Sequence, residues 1–430
     1  MASLFLYPHF LLKPIYLKFT NKNMRNPLKN IGPGALVAAA FIGPGTVTIC
    51  TLAGVQFGFA LLWAMTLSII ATLVLQETAA RIGLVSQKGL AEVLREELTN
   101  PLAKKMILGL VLAAIVIGNA AYEAGNISGG LLGLEVLDID GFINIGEVGV
   151  NFWSLILGAI AFILLYLGNY KILERVLLVL VIVMSLSFVI TAILTKPNLL
   201  EILKYSLIPS FPENSIWTVV ALIGTTVVPY NLFLHASLVN QKWKDKSDLK
   251  LARRDTYLAV ILGGIVSMCV IIAASAIPGN GLEGVTGLAQ SLEPLYGPAA
   301  KYFIALGLFA AGITSAITAP LAAAYVAQGC LGFAGGMKNS KFRATWMLVL
   351  LVGVLFSAFG IKPIQIIQFA QIANGLLLPI IAAILIWLAN RSTLLGHYKN
   401  TLVKNSISVI ILIITIILGL RIILKVIGLL

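Results

Sequence analysis

Two carboxylates lie inside the apolar stretches of this sequence. Glu123 is embedded in the run NAAYEAGN, and Glu77 lies near the end of another apolar run. An ionisable side chain in a membrane-spanning helix is costly and marks an ion pathway by default. Arg81 follows Glu77 by four residues, the spacing of neighbours on a helix surface, which predicts a structural ion pair. Glu123 lacks a comparable partner in its own span, so it is the candidate functional carboxylate; the alternative is a structural glutamate bonded to backbone at a broken helix.

Histidine and cysteine do not cluster along the chain. The three histidines are too scattered to form a metal site, and the three cysteines lie in or beside apolar segments without paired spacing. This pattern indicates neither a disulfide framework nor a thiolate metal site. We therefore expect no cofactor and no enzyme activity. The residues concerned are His9, His235, His397, Cys50, Cys269 and Cys330.

The composition is that of a polytopic membrane protein. Of 430 residues, 59% are hydrophobic and 11% are charged, with a mean hydropathy of +0.99, whereas soluble domains carry about 25% charged residues. The net charge of +13 does not indicate nucleic-acid binding, because the basic residues fall in short loops between apolar spans, as the positive-inside rule expects. The expected partners are membrane lipid and a transported solute.

Eleven apolar spans follow one another. The loops after spans two, four, six, eight and ten are basic, which predicts a multi-pass protein of the cell membrane with a cytoplasmic amino terminus and an external carboxyl terminus. Residues 1–29 form the cytoplasmic amino-terminal segment, in which either 1–20 is interfacial or translation starts at Met24. Residues 30–400 form a ten-span core, and 401–430 form the eleventh helix. The expected spans are 30–58, 60–80, 106–134, 152–167, 176–194, 216–240, 256–277, 302–332, a ninth ending near 360, 363–388 and 402–420.

The first span is predicted to break at its middle. It is long enough to cross a bilayer, which takes about 20 residues, yet it contains Gly43, Pro44, Gly45 and Thr46 in succession. Proline lacks an N–H group and clashes with the preceding turn, and glycine adds backbone freedom. Hydrocarbon cannot satisfy the freed backbone groups, so they are expected to line a polar site.

A second break is predicted five spans later. The sixth span contains Val227, Val228, Pro229 and Tyr230 in succession. Broken helices at matching positions in two halves indicate an inverted-repeat secondary transporter, with its substrate site between the two breaks. The chain is therefore expected to be an all-α transporter.

Sequence motifs resemble one known family across about 30–400. GPG…GPGT…AGVQFGFALLW is similar to GPG…DPGN…AGSQFGYALLW of the natural-resistance-associated macrophage protein (NRAMP) family of proton-coupled divalent-metal transporters. VVPYNLFLH is similar to that family's VMPHNLYLH, and GITSAIT to its GQSSTIT. The resemblance implies a leucine-transporter-like fold of two inverted five-helix repeats plus an eleventh helix.

The departures from the family pattern fall on the metal ligands. Gly43 replaces the aspartate, Thr46 the asparagine, Val228 the methionine and Tyr230 the histidine two places after it. The site has therefore lost a carboxylate and a soft sulfur ligand. Its remaining metal donors would be the Thr46 hydroxyl and backbone carbonyls near Gly43 and Thr226. Substrate contact is expected along both breaks, including Pro44 and Gly45.

Four residues are candidates for ion coupling. Glu123 falls where the resemblance implies a glutamate on the proton route, although Ala120 replaces a nearby aspartate. The resemblance gives His235 a place in the inner proton path, with a packing histidine as the alternative. In related folds, hydroxyls at the positions of Thr314 and Ser315 hold sodium, and the alternative is a hydroxyl that joins helices. The coupling ion is thus H⁺ or Na⁺.

Two substrate classes remain open. The first is a divalent metal cation of the Mg/Mn class, partly hydrated, with Glu123 supplying charge at longer range. The second is a small organic solute such as an amino acid, whose carboxylate would bind the free N–H groups after Pro44 at a positive helix end. A transporter-like sensor would need a long signalling domain, which the sequence does not contain.

Overall fold

The computed structural model shows an almost entirely helical protein. Among the residues it describes, nine helices are long and apolar enough to cross a bilayer, and Phe152–Leu167 is a shorter apolar helix. The predicted amino-terminal segment 1–29 and most of the first half of span one lie outside the described residues. The structure describes residue 33 and residues 42–139, 141–145, 148–168, 171–277, 285–359 and 361–427.

The first half of the chain contains the first five spans. Each predicted span corresponds to a helix, and the first is represented by its second half. The elements are α1 (Pro44–Phe57), α2 (Leu62–Ser86), α3 (Leu90–Glu97), α4 (Pro101–Glu135), β1 (Phe142–Ile145), β2 (Val148–Asn151), α5 (Phe152–Leu167), α6 (Lys171–Leu194) and α7 (Leu199–Leu207).

The second half supplies six further spans. Its sixth span is divided between two helices, and the last helix agrees with the predicted eleventh. The elements are α8 (Ile216–Thr226), α9 (Pro229–Lys242), α10 (Leu249–Ser275), α11 (Val285–Gln290), α12 (Glu293–Tyr296), α13 (Ala300–Leu331), α14 (Ser340–Ala358), α15 (Pro363–Ala389), α16 (Ser392–Leu395) and α17 (Leu402–Val426).

Local sequence explains where the longest helix begins. Pro101 occupies the first turn of α4, where its missing N–H group costs nothing. The side chain of Asn100 accepts hydrogen bonds from the backbone N–H groups of Leu102 and Ala103, each 3.0 Å long. Asparagine at this position satisfies orphan donors of the first turn. The result is a helix of 35 residues.

The loops contain small elements that the apolar pattern did not predict. In the loop after span three, β1 and β2 form an antiparallel hairpin in which Ile145 pairs with Val148. The helices α3 and α7 are 8 and 9 residues long and combine polar and apolar positions. Such short segments carry too little apolar length to be recognised as spans.

Helix α4 is at the centre of the bundle and packs against α13, α14 and α15. It crosses α13 where Gly130 meets Gly312. A Cβ atom added at Gly312 would lie 2.7 Å from the Gly130 Cα atom. Small residues let two membrane helices approach this closely. Larger side chains here would push α13 away from α4.

Loops that the charge pattern assigned to one side of the membrane contact one another. At the end of α3, which lies between α2 and α4, Glu97 Oε2 is 3.3 Å from Arg391 Nε in the loop after α15. The Arg81 guanidinium near the end of α2 donates to the Tyr398 carbonyl oxygen, 2.5 Å away. We refer to this end of the bundle, where α2 and α15 end and α10 and α17 begin, as the basic end.

Candidate functional site

Helices begin at the two prolines that predicted the breaks, and in the sixth span the described residues show both sides of the break. Helix α1 begins at Pro44, with Gly43 at its N-cap in an extended conformation (φ −89°, ψ 178°). Helix α8 ends at Thr226, and α9 begins at Pro229 with Val228 extended at its N-cap (φ −78°, ψ 117°). Neither N-cap residue donates or accepts a side-chain capping bond. Two helix amino-terminal ends that lack a side-chain cap from the N-cap residue are therefore present at the breaks.

The two breaks meet in the interior through a pair of hydroxyl groups. Thr46 Oγ1 on α1 lies 2.8 Å from Thr225 Oγ1 on α8, and both side chains are buried. Thr46 is a predicted site residue, whereas Thr225 is a new one. The expected neighbour, Thr226, turns its hydroxyl to its own helix, where it donates to the Leu222 carbonyl oxygen at 2.8 Å. The Thr226 carbonyl oxygen accepts from Thr72 Oγ1 at 3.4 Å.

Gln371 of α15 contacts both broken spans and was missed by the sequence analysis. Its side chain abuts Gly45, where an added Cβ atom would lie 3.1 Å from the Gln371 Cδ atom. Its backbone carbonyl oxygen is in close contact with Gly224, one residue before Thr225. A polar amide within an apolar span was the available signal, because such groups are expensive in hydrocarbon. Pro44 packs against Gly129 of α4, which closes the other side of the α1 break.

In the first turn of α9, Tyr230 forms an aromatic pair with a tyrosine of α4. The Tyr230 ring meets the Tyr122 ring of α4 edge to face, with centroids 5.3 Å apart and an interplanar angle of 69°. Both side chains are buried, and the Tyr230 hydroxyl has no hydrogen-bond partner among the described residues. Val228 is also buried and contributes only an apolar side chain. Tyr230 thus presents a polar hydroxyl within an otherwise aromatic contact.

Glu123 follows Tyr122 on α4 and is fully buried. Asn126 Nδ2, one turn later, donates to Glu123 Oε2 at 3.1 Å, so Glu123 has a neutral partner in its own span that the sequence analysis did not identify. Glu123 Oε1 has no partner among the described residues. Gly353 of α14 packs against the Glu123 stem. The ion pairs found in the described part of the chain do not include Glu123.

Glu77 is a structural ion-pair residue, as predicted. Its Oε1 atom lies 3.2 Å from Arg81 Nε, and the Glu77 side chain is only 4% exposed. Two further cations reach the same oxygen: Arg253 Nε at 2.7 Å and Lys404 Nζ at 3.0 Å. The sequence predicted one partner and the structure shows three.

The remaining predicted coupling residues are His235 on α9 and the hydroxyl residues Thr314 and Ser315 on α13. His235 Nδ1 is 2.7 Å from Gln76 Oε1 of α2, and its Nε2 atom has no partner among the described residues. An amide oxygen only accepts, so Nδ1 carries the proton and Nε2 is the basic nitrogen. Thr314 donates to the Ala310 carbonyl oxygen at 2.8 Å, as a helix-bonded hydroxyl does. Ser315 Oγ is buried without a partner in the described residues.

Several buried polar atoms without a partner among the described residues lie on the broken spans or on α15 beside them. Buried polar groups are nearly always hydrogen-bonded, so atoms of this kind face a place that receives water or a substrate. Within the described residues, no three or more His, Cys, Asp or Glu side chains form a group that could hold a metal. The side chains that could act as metal ligands at the breaks therefore carry hydroxyl and amide groups. Those near the breaks include Thr48 Oγ1, Thr51 Oγ1, Tyr230 Oη, Asn231 Oδ1 and Nδ2, Gln371 Oε1 and Asn374 Nδ2.

Comparisons with solved structures identify the fold. A crystal structure of the Eremococcus coleocola manganese transporter, in complex with an aromatic bis-isothiourea compound, superposes with a TM-score of 0.74 at 20% identity, covering 93% of this chain and 88% of that one. MhsT in complex with L-phenylalanine gives a TM-score of 0.59 at 15% identity, covering 90% and 98%. The fold is the leucine-transporter-like arrangement of two inverted five-helix repeats plus an eleventh helix, with spans one and six broken.

Sequence comparisons place the chain in a family. Residues 34–425 match the family model described as natural resistance-associated macrophage protein-like. The divalent metal cation transporter MntH of Verminephrobacter eiseniae is 27% identical over 382 residues, which are 86% of this chain and 83% of that protein. This is a family of transporters rather than of enzymes. The chain belongs to the natural resistance-associated macrophage protein family.

Proposed function

We propose that this protein is a secondary-active transporter that moves a divalent metal cation of the Mg/Mn class through a site without the usual aspartate and methionine ligands. The observation that supports this most directly is the buried Thr46–Thr225 hydroxyl pair at the meeting point of the two helix breaks. Its position in the fold is that of the substrate site in inverted-repeat transporters. Transport of divalent metal by the relative from Verminephrobacter eiseniae supports the cation class.

The donor set favours a hard cation. Thr46 and Thr225 offer hydroxyl oxygens, and Gln371, whose amide nitrogen lies against Gly45, keeps its Oε1 oxygen without a partner among the described residues. Oxygen donors suit magnesium, calcium and manganese, whereas thiolate and thioether donors select softer metals. Val228 stands where a thioether would be needed and has only methyl groups. A site of neutral oxygens therefore discriminates against cadmium relative to magnesium.

None of the proposed ligands Thr46, Thr225 and Gln371 is a carboxylate, which favours an ion that keeps part of its hydration shell. Magnesium gives up its hydration shell reluctantly and is usually bound with several waters. Neutral hydroxyl and amide groups can hydrogen-bond to such waters. Glu123, on the neighbouring α4, supplies the negative charge at longer range, because a buried dication needs compensation.

Proton coupling is the proposed energy source. Glu123 directly follows Tyr122, and His235 follows Tyr230 by five residues. Each of these two titratable groups keeps one atom without a partner among the described residues. Ser315, buried on α13, supports sodium as the alternative coupling ion. We place the basic end of the bundle in the cytoplasm, because Lys and Arg accumulate on that side of membrane proteins.

Uptake into proteoliposomes tests the proposal. We expect the purified protein to take up Mg²⁺ and Mn²⁺, with Cd²⁺ transported less well. Thr46→Val should reduce the rate at least tenfold. Thr256→Val is the matched control, because the buried Thr256 hydroxyl donates to its own helix at Ala252. Uptake of no divalent cation by folded protein contradicts the proposal.

One observation favours a second candidate, an ion-coupled transporter of a small organic acid such as an amino acid. The amino-terminal ends of α1 and α9 are present at the same site without side-chain caps. Free N–H groups at a positive helix end bind carboxylates. Tyr122 and Tyr230 would then line an aromatic or apolar part of the pocket. Thermal-shift screening of amino acids against divalent ions separates the two, since only one class should raise the melting temperature.

A further inference from the structure

A compact charge cluster joins three helices at the basic end. The Glu77 carboxylate of α2 accepts from Arg81 on its own helix, from Arg253 on α10 and from Lys404 on α17. Helices α10 and α17 each pack against α2. We call these four side chains the Glu77 cluster.

The Glu77 cluster carries more positive than negative charge. One carboxylate faces three cations, so two positive charges are not neutralised within the cluster. Arg81 is buried and is also held by the Tyr398 carbonyl oxygen and by Asn400 Oδ1 at 2.6 Å. Arg253 and Lys404 remain 34% and 35% exposed. The excess charge is therefore accessible from outside the bundle.

Arg253 retains free hydrogen-bonding capacity. Among the described residues, its recorded hydrogen bond runs from Nε to Glu77. A guanidinium has five N–H donors, so its two terminal nitrogens remain available in a geometry that matches a phosphate. Lys404 likewise uses one of its three ammonium donors on Glu77.

An apolar strip of α2 leads along the membrane to the Glu77 cluster. Ile70, Leu73 and Val74 precede Glu77 by seven, four and three residues, so they share its helix face. Ile70 is 46% exposed, and Leu73 and Val74 are half-buried. Because Glu77 reaches both α10 and α17, this face of α2 lies between those two helices, and we call it the α2 floor.

We propose that the α2 floor, together with Arg253 and Lys404, binds an anionic phospholipid of the leaflet at the basic end. The phosphate accepts hydrogen bonds from Arg253 and Lys404, and an acyl chain lies along Ile70, Leu73 and Val74. Basic pockets between membrane helices bind acidic headgroups in this way. A soluble phosphate would use the two cations but not the apolar floor, so the ligand is a lipid. The inference does not depend on which solute is transported.

Native mass spectrometry of the intact protein in detergent tests the proposal. Dioleoyl phosphatidylglycerol and dioleoyl phosphatidylcholine are titrated separately, and the number and occupancy of bound lipids are measured. We expect at least one tightly bound phosphatidylglycerol and no equivalent phosphatidylcholine. The double variant Arg253→Gln/Lys404→Gln should bind phosphatidylglycerol more weakly by roughly fivefold for each side chain replaced.

The matched control is Lys338→Gln/Lys341→Gln, which removes one charge from the loop between α13 and α14 and one from the first turn of α14, at the same end of the bundle. It should keep the wild-type affinity. Arg81 remains paired with Glu77 in the double variant, and its melting temperature without added lipid checks folding. If the double variant does not fold, Lys404→Gln alone keeps two guanidinium partners on Glu77 and should still lose about fivefold.

Two results overturn the proposal. The first is equal phosphatidylglycerol affinity of the wild type, the cluster variant and the control. That result makes the Glu77 cluster a purely structural connection between helices. The second is displacement of the lipid by an equal concentration of sn-glycerol 3-phosphate, because a headgroup alone lacks the acyl chain that the α2 floor is inferred to hold. Failure of metal uptake leaves this lipid measurement unaffected.

Discussion

Thr46 and Thr225 share a hydrogen bond of 2.8 Å although 179 residues separate them in the chain. Each lies beside a proline-induced break, one in each repeat. The bond therefore joins the two halves of the transporter at the place where both backbones are interrupted. Any change at either hydroxyl is expected to alter the substrate site and the contact between the repeats together.

The first prediction concerns this hydroxyl pair. Thr46→Val and Thr225→Val should each destabilise the protein by about 1–3 kcal/mol, since each leaves the other hydroxyl buried without that partner. The double variant should cost less than the sum of the two, because both hydrogen-bonding groups are then gone. Unfolding of the four proteins in detergent completes the thermodynamic cycle. Additive losses would show that the two hydroxyls do not interact.

The second prediction separates the two buried glutamates. Glu77→Gln removes the only carboxylate of the Glu77 cluster and should lower stability by about 3–5 kcal/mol, as breaking a buried ion pair does. Glu123→Gln keeps an amide that can still accept from Asn126 and should fold normally but transport poorly. Melting temperature and uptake at matched protein amounts distinguish these effects. Normal transport by Glu123→Gln, with loss in folded Glu77→Gln, would reverse the assignment.

The third prediction concerns the missing metal ligands. Gly43→Asp, Thr46→Asn and Val228→Met together should create a manganese and cadmium site, with cadmium gaining more from the thioether. The extended backbone of Gly43 accommodates aspartate, which is also a good N-cap for α1.

Isothermal titration of the parent and the triple variant measures this gain. Low-micromolar manganese binding by the parent would mean that Gly43 and Val228 are not lost ligands. A folded triple variant that binds neither ion would favour the organic-solute alternative.

The fourth prediction tests orientation. Asn144 in β1 and Lys246 in the basic loop before α10 are both exposed. Single cysteines at these positions, in a variant lacking Cys50, Cys269 and Cys330, should react with a membrane-impermeant maleimide from outside and from inside the cell, respectively. Labelling of both from outside intact cells would show that the proposed topology is wrong.

The sequence was sufficient to predict features that depend on neighbouring residues. Pro44 and Pro229 break their helices because proline removes a backbone donor wherever it occurs. Glu77 and Arg81 pair because residues four apart share a helix face. These effects are local, so no knowledge of the tertiary fold was needed.

Features that depend on helix rotation and packing were not predictable from one sequence. The choice between Thr225 and Thr226 at the α8 break depends on about 100° of helix rotation. Gln371 comes from α15, and only the packed fold brings it against Gly45. Arg253 and Lys404 likewise reach Glu77 across 176 and 327 positions of sequence. Such contacts are fixed by tertiary structure.

The length of α4 makes access to Glu123 unequal from its two ends. Its 35 residues span about 52 Å, more than the roughly 30 Å of a hydrocarbon core. Glu123 lies about 33 Å along the axis from Pro101 but only about 18 Å from Glu135. A proton or water arriving from the end that carries the hairpin therefore travels about half the distance needed from the basic end. In the orientation that we propose, with the hairpin outside the cell, the external solution is the nearer reservoir for this carboxylate.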